Sequence, residues 1–209
     1  MEITAIQRLQ QVFPVVAILG ARQCGKTTLA KCLKSDHYFD LENPADLQAL
    51  NHPQLALEGL QGTIVIDEIQ RKPDLFPLLR YLVDSVAEQR YIILGSASKS
   101  LIRQSSESLA GRIGYHHLGG LRLSEVDTDA MQTLWMRGGM PRSFLAPDQQ
   151  SSQLWRDNYV TTLLERDLPQ LGFRTPADTL RRFWQMLCHY HGNVINYAEL
   201  AGVFGVRRI

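Results

Sequence analysis

The sequence predicts an α/β fold: a parallel sheet with helices on both faces to about residue 118, then a helical C-terminal region. Three observations predict it. Strand-like runs alternate with helical spacing through the first half. The runs at 15–19 and 63–66 are continuously apolar, as strands buried on both faces are. After Gly119-Gly120 the strand signals stop and helical spacing takes over.

Taken in order, residues 4–12 read as a short amphipathic helix leading into a first strand, Val15-Val16-Ala17-Ile18-Leu19. A glycine-containing turn follows, then a helix with Leu29, Ala30, Cys32 and Leu33 inward and Lys31 and Lys34 outward. Tyr38-Phe39-Asp40-Leu41 reads as a second strand, closed by Glu42-Asn43-Pro44, and helical spacing resumes through Leu47, Leu50, Leu55 and Leu57. The third strand, Thr63-Ile64-Val65-Ile66, runs into Asp67-Glu68. A helix over 74–87 then presents Phe76, Leu79, Leu82, Val83 and Val86 to the core. Tyr91-Ile92-Ile93-Leu94 and residues 113–118 complete the strands. Beyond them, 150–168 reads as a long helix with Leu154, Trp155, Tyr159, Leu163 and Leu164 inside. A further helix follows Pro176 with Leu180, Phe183, Trp184, Leu187 and Cys188, and Asn196 caps a short helix over 197–201. These boundaries give a core over 1–120, a helical lid or linker over 121–175 and a last segment over 176–209.

The turn after the first strand carries chemistry. Residues 20–27, Gly-Ala-Arg-Gln-Cys-Gly-Lys-Thr, match the phosphate-binding loop G-x-x-x-x-G-K-[ST] at every fixed position. Gly20 and Gly25 allow a tight turn in which the backbone N–H groups of Ala21, Arg22, Gln23, Cys24 and the following residues to Thr28 face phosphate oxygens. Lys26 suits the β- and γ-phosphates, and the Thr27 hydroxyl suits Mg²⁺. Strand, glycine loop and helix occur in the order this motif requires.

Hydrolysis needs a metal and an oriented water as well. Asp67 and Glu68 stand at the carboxyl end of a strand, where ligands of open α/β sheets gather. Asp67 is the candidate metal-shell carboxylate and Glu68 the candidate general base. Ser96, after the fourth strand, is a candidate γ-phosphate sensor, with an ordinary Ser helix cap as the alternative. Arg112, just before the fifth strand, reads equally as a transition-state contact or as a surface ion-pair partner.

Composition narrows the function classes. A formal net charge of +1, from 22 basic and 21 acidic side chains, gives no bulk attraction to nucleic acid. No apolar run approaches a membrane span, and the N-terminus lacks the pattern of a signal peptide, so the expected location is cytoplasmic. Three cysteines without a Cys-x-x-Cys pair argue against a disulfide framework or zinc ribbon. Cys24 reads as a small loop filler, with a redox-sensitive thiolate as the sharper alternative. His189 and His191 lack the companions of a metal set.

With these residues in view, the chain resembles a bacterial and archaeal ATPase family that pairs an AAA-type domain (AAA_14) with a C-terminal DUF4143 domain. The resemblance rests on Tyr-Phe-Asp-Leu-Glu-Asn-Pro, Ile-Val-Ile-Asp-Glu-Ile-Gln, Leu-Gly-Ser-Ala-Ser, Ser-Leu-Ala-Gly-Arg, Gly-Gly-Met-Pro-Arg and Leu-Leu-Glu-Arg-Asp-Leu, together with the glycine loop. It implies a P-loop NTPase core with an extra strand between the loop strand and the Asp67 strand. It implies ATP with Mg²⁺, Ser96 as sensor, and Arg112 at the γ-phosphate, in its own chain or in a neighbouring subunit of a homo-oligomer. It also sets Arg166 and Asp167 in a family motif without assigning them a role. Residues 196–206 resemble the opening of a winged helix, and on that resemblance the chain is expected to be truncated before the motif is complete. Sequence-specific DNA binding, which needs the second helix in the major groove, is then not expected of it. The expected function is an Mg²⁺-dependent ATPase coupled to its helical C-terminal region. The alternatives are a nucleotide-gated DNA-binding or regulatory module with negligible hydrolysis, and an inactive remnant.

Overall fold

The apolar runs of the first half become the inner strands of one sheet, because a strand covered on both faces has no polar side to offer water. The computed structural model describes residues 1–203. Among these, β1 (Val15–Gly20), β2 (His37–Asp40), β3 (Gly62–Asp67), β4 (Gln89–Ser96) and β5 (Ile113–Leu118) pair in the order β2-β3-β4-β1-β5, every pairing parallel. β4 therefore lies between the loop strand β1 and the acidic strand β3, where the resemblance placed an extra strand. All six residues of β1 are buried, whereas the edge strand β2 is half-exposed.

Alternation along each strand divides the core in two. Val15, Ala17, Leu19, Ile64, Ile66, Tyr91 and Ile93 pack on one face with α5 (Leu75–Ser85), which contributes Phe76, Leu79 and Leu82. Val16, Ile18, Val65, Ile92 and Leu94 face the other way, onto Ile6 of α1 (Glu2–Val12) and Ala30 and Leu33 of α2 (Lys26–Cys32) and its C-terminal cap. Each such aliphatic side chain contributes about 1.5–3 kcal/mol when fully buried. Gln89, fully buried, fastens the turn before β3 to the sheet: its amide donates to the Leu57 and Leu60 carbonyls at 2.8 and 2.7 Å, and its Oε1 accepts from Tyr91.

The stretch after β2 differs from the sequence expectation. The continuous helix through Leu47 and Leu57 is two short ones, α3 (Pro44–Ala49) and α4 (Pro53–Glu58), because Pro53 cannot donate into a continuing helix and starts a new one instead. Leu55 is consequently exposed. α6 (Lys99–Ser108) is capped by Ser98, whose Oγ accepts from Leu101 N–H at 3.1 Å.

After β5 come α7 (Met131–Arg137), α8 (Pro141–Phe144) and α9 (Gln149–Thr162), and the chain divides into two units after Ser152, inside α9. In the second unit α9 runs into a π-helical turn, Leu163–Asp167, then α10 (Leu168–Gln170), α11 (Ala177–His189) and α12 (Tyr197–Val203). Leu164 is buried as expected, but Leu154, expected inside, is 65% exposed and Cys188 is also exposed. Trp155 and Tyr159 stack at 5.0 Å between ring centroids. Asn196 caps α12, its Oδ1 accepting from Ala198 and Glu199 N–H. A groove of about 400 Å³ between α11 and α12 is lined by Leu180, Phe183, Leu187, Ile195, Tyr197 and Leu200. The winged-helix reading extends past α12 onto residues 204–209, outside the described ones. Among the described residues no helix is long and apolar enough to cross a membrane.

Candidate nucleotide-binding site

The site is built at the carboxyl edge of the sheet. β1 ends at Gly20, beside Ser96 of β4 and Leu118 of β5 in register. A side chain at position 20 has no room: a Cβ there would lie 2.4 Å from the Leu118 carbonyl oxygen and 2.8 Å from the Cys24 sulfur. At the far end of the loop Gly25 takes φ +104°, a conformation other residues rarely adopt, and its carbonyl accepts the Leu29 N–H that starts α2. The loop thus turns back over its own strand within five residues.

Lys26 is buried, with Nζ donating to the Gly20 and Ala21 carbonyls at 3.1 and 2.9 Å. Its charge is held over the loop by those two carbonyls. Arg22 is half-buried in the variable stretch, and Ala21, Gln23, Thr27 and Thr28 are exposed. Cys24 is buried against Gly20, and burial pushes its thiol pKa up, outweighing the lowering by Lys26. The redox-sensitive thiolate, the sharper alternative for Cys24, is therefore disfavoured, because desolvation opposes the charged form. Cys24 fills space.

Forty residues separate Thr27 from Asp67, yet the Thr27 hydroxyl donates to Asp67 Oδ2 at 2.7 Å. Tyr38 of β2 donates to the same oxygen at 2.8 Å, and Oδ1 accepts the Glu68 N–H at 2.9 Å. Both oxygens of this nearly buried carboxylate are held, and burial together with Asp67 pushes the Tyr38 phenol pKa up. Hydroxyl and carboxylate oxygens are the hard donors that Mg²⁺ takes. Thr27 spends its proton on Asp67, which leaves its oxygen lone pairs for a cation. The donor set fits that metal.

Glu68 follows directly, in a left-handed backbone conformation (φ 56°, ψ 43°) that turns the chain off the strand. Its pKa is raised, first by burial and then by Asp67, against the lowering by Lys26 and by the Gln70 amide that donates to it. A half-buried base with a raised pKa and a fixed neighbour suits activation of a water. Ser96 ends β4 beside Gly20; the cap that competed with the sensor reading is supplied by Ser98, two residues on.

Arg112 does not join this group. Its carbonyl accepts from Val15 N–H, at the opposite end of β1 from Gly20. Five strand residues at about 3.3 Å each put roughly 17 Å between the two edges, more than an arginine side chain spans. Its guanidinium forks onto Asp84, Nε to Oδ1 at 2.6 Å and Nη2 to Oδ2 at 2.9 Å. Reach to the γ-phosphate bound by its own chain is therefore excluded by distance.

Sequence reasoning missed Tyr38, Gln70 and Pro141. Tyr38 resembles an edge-strand core residue, and only strand order shows that it borders β3. Pro141 of the Gly-Gly-Met-Pro-Arg turn lies with Cγ 3.9 Å from where a Gly25 Cβ would be, so a segment well after β5 comes close to the loop.

Comparison with known proteins bears on the same two regions. Residues 12–127 match the AAA domain family AAA_14, and residues 128–209 match a domain of unknown function, DUF8612. The C-terminal match is thus to DUF8612 and not to the DUF4143 domain that the resemblance implied. Uncharacterized proteins of Mycobacterium bovis and Mycobacterium tuberculosis are each 55% identical over 192 residues. That alignment covers 90% of this chain but 44% of either relative, so the chain spans less than half their length. Among solved structures, a Walker-type ATPase of Pyrococcus abyssi superposes with a TM-score of 0.62 over 87% of this chain and 78% of its own, at 16% identity. That likeness is one of fold. With its loop, strand order and the match over 12–127 in agreement, the chain belongs to the AAA_14 family of AAA domains.

Proposed function

We propose that the chain is an Mg²⁺-dependent ATPase, hydrolysing ATP to ADP and phosphate by in-line attack of water on the γ-phosphate. The observation that carries this reading is the 2.7 Å bond between Thr27 and Asp67, which joins the glycine loop to the acidic strand end. Loop N–H groups from Ala21 to Thr28 cradle the phosphates, and Lys26 leaves the Gly20 and Ala21 carbonyls to meet the β- and γ-oxygens. Thr27 and Asp67 would hold Mg²⁺, and the metal would supply neutralisation of phosphate charge there. Glu68 accepts a hydrogen bond from the attacking water and takes its proton; the raised pKa makes it a stronger base than a solvated carboxylate. Ser96 lies beside Gly20 to sense the γ-phosphate.

Arg112 acts, in this reading, on nucleotide bound by a neighbouring subunit. Coupling to the C-terminal region is supported by Pro141, which borders Gly25. The reaction belongs in the cytoplasm, where ATP and Mg²⁺ are supplied. A second reading, a nucleotide-gated regulatory module with negligible hydrolysis, is favoured by one observation: Arg112 is engaged by Asp84 far from the loop of its own chain.

ATP hydrolysis per subunit, measured across a wide range of protein concentration with Lys26→Ala as blank, tests the proposal. The expected result is Mg²⁺-dependent turnover whose specific activity climbs with concentration. Activity at the blank throughout sinks the enzyme reading, and turnover independent of concentration removes Arg112 from it.

A further inference from the structure

The shared oxygen of Asp67 has a consequence for metal binding. Thr27 and Tyr38 both donate to Oδ2, at 2.7 and 2.8 Å, while the Glu68 backbone holds Oδ1. Thr27 is exposed and belongs to the loop that meets the ligand, so its hydroxyl answers to whatever binds there. Tyr38 differs. It lies on a strand, half-buried against the second core cluster, with the Lys31 ammonium 6.0 Å from its ring centroid. The Tyr38 hydroxyl is thus the donor to Asp67 that comes from the rigid sheet and not from the loop.

We propose that Tyr38 is the positioning residue of the metal site: it fixes the Asp67 carboxylate toward Thr27 before Mg²⁺ arrives and keeps it there afterwards. Hydrogen-bonding partners behind a metal-binding group orient it, and their loss weakens metal affinity about 10- to 100-fold without removing a ligand. The Tyr38 role rests on the ATPase reading above, since it presumes that Thr27 and Asp67 hold the metal. It adds a residue that belongs to neither the glycine loop nor the acidic pair.

The test is equilibrium binding of ATP to the full chain, by titration calorimetry, in EDTA and then at stepped MgCl₂ concentrations, for wild type and Tyr38→Phe. The phenylalanine keeps the ring packing and removes one hydroxyl, and thermal melting without ligand checks that the fold is intact. The expected result is ATP affinity in EDTA within about twofold of wild type, with the Mg²⁺ midpoint raised about tenfold. An unchanged midpoint overturns the inference. So does an equal loss of ATP binding with and without Mg²⁺, which would make Tyr38 a support of the whole loop. Failure of the wild type to bind ATP, or indifference of its binding to Mg²⁺, would instead strike the ATPase reading itself.

Discussion

At the carboxyl edge of the sheet, Thr27, Tyr38 and the Glu68 backbone converge on the nearly buried carboxylate of Asp67, with Lys26 buried over the loop beside it. At the amino edge of the same sheet, Arg112 and Asp84 form an ion pair of comparable length on the surface. Both are short, charge-assisted contacts, yet they differ in what water does to them. Desolvation strengthens every interaction at the first edge and makes an unpaired group there costly. Solvent screens the second pair, which side-chain entropy also opposes. Local geometry alone would have ranked the two alike; position along the strands separates a site from a surface contact.

Substitutions at the two edges should diverge accordingly. The largest effect is expected for Lys26→Ala, which removes the cation held over the loop and should lower turnover by about 10²–10³-fold; steady-state phosphate release checks it. Gly20→Ala comes next, acting on stability. The added methyl meets the Leu118 carbonyl at 2.4 Å, and because that obstacle is backbone, β5 must yield. Overpacking of this kind costs about 1–3 kcal/mol, occasionally more, and chemical denaturation should report it.

A smaller effect concerns pH. Burial and Asp67 raise the Glu68 pKa above its ordinary 4.5, so in that interval the native state holds a proton that the unfolded chain has released. Stability from this group is present below 4.5 and lost as pH rises through the raised value. Turnover, which needs the carboxylate, rises over the same interval. The acidic limb of the rate profile should therefore lie above 4.5, and Glu68→Gln should gain more melting temperature over wild type at neutral pH than at pH about 4. The smallest change is expected for Arg112→Ala, whose melting temperature should stay close to wild type. A large drop would break the comparison between the edges.

Much of the site was legible because each fixed position of residues 20–27 meets a separate requirement, and Asp67-Glu68 closes a strand that its apolar run had already marked. Strand order was legible only through resemblance, since pairing is set by contacts between residues far apart in the chain. Arg112 shows the limit. Its motif was visible, but whether it faces the loop depends on register, and Val15↔Ile113 turns it away. Pro53 was visible too, and the leucine spacing around it concealed the break. Tyr38 gave no signal, because a tyrosine in an edge strand reads as core until its neighbour is known to end in Asp67. The C-terminal helices were readable as helices, while Leu154 at 65% exposure shows that helical spacing does not say which face is covered.

The most direct test sets ATP binding and ATP turnover side by side for wild type and Glu68→Gln in the presence of Mg²⁺. Binding retained in both, with turnover in the wild type alone, is the result expected if the carboxyl edge binds through the loop and Asp67 and reacts through Glu68. Turnover that survives the substitution, or a wild type that binds no ATP, would contradict the account.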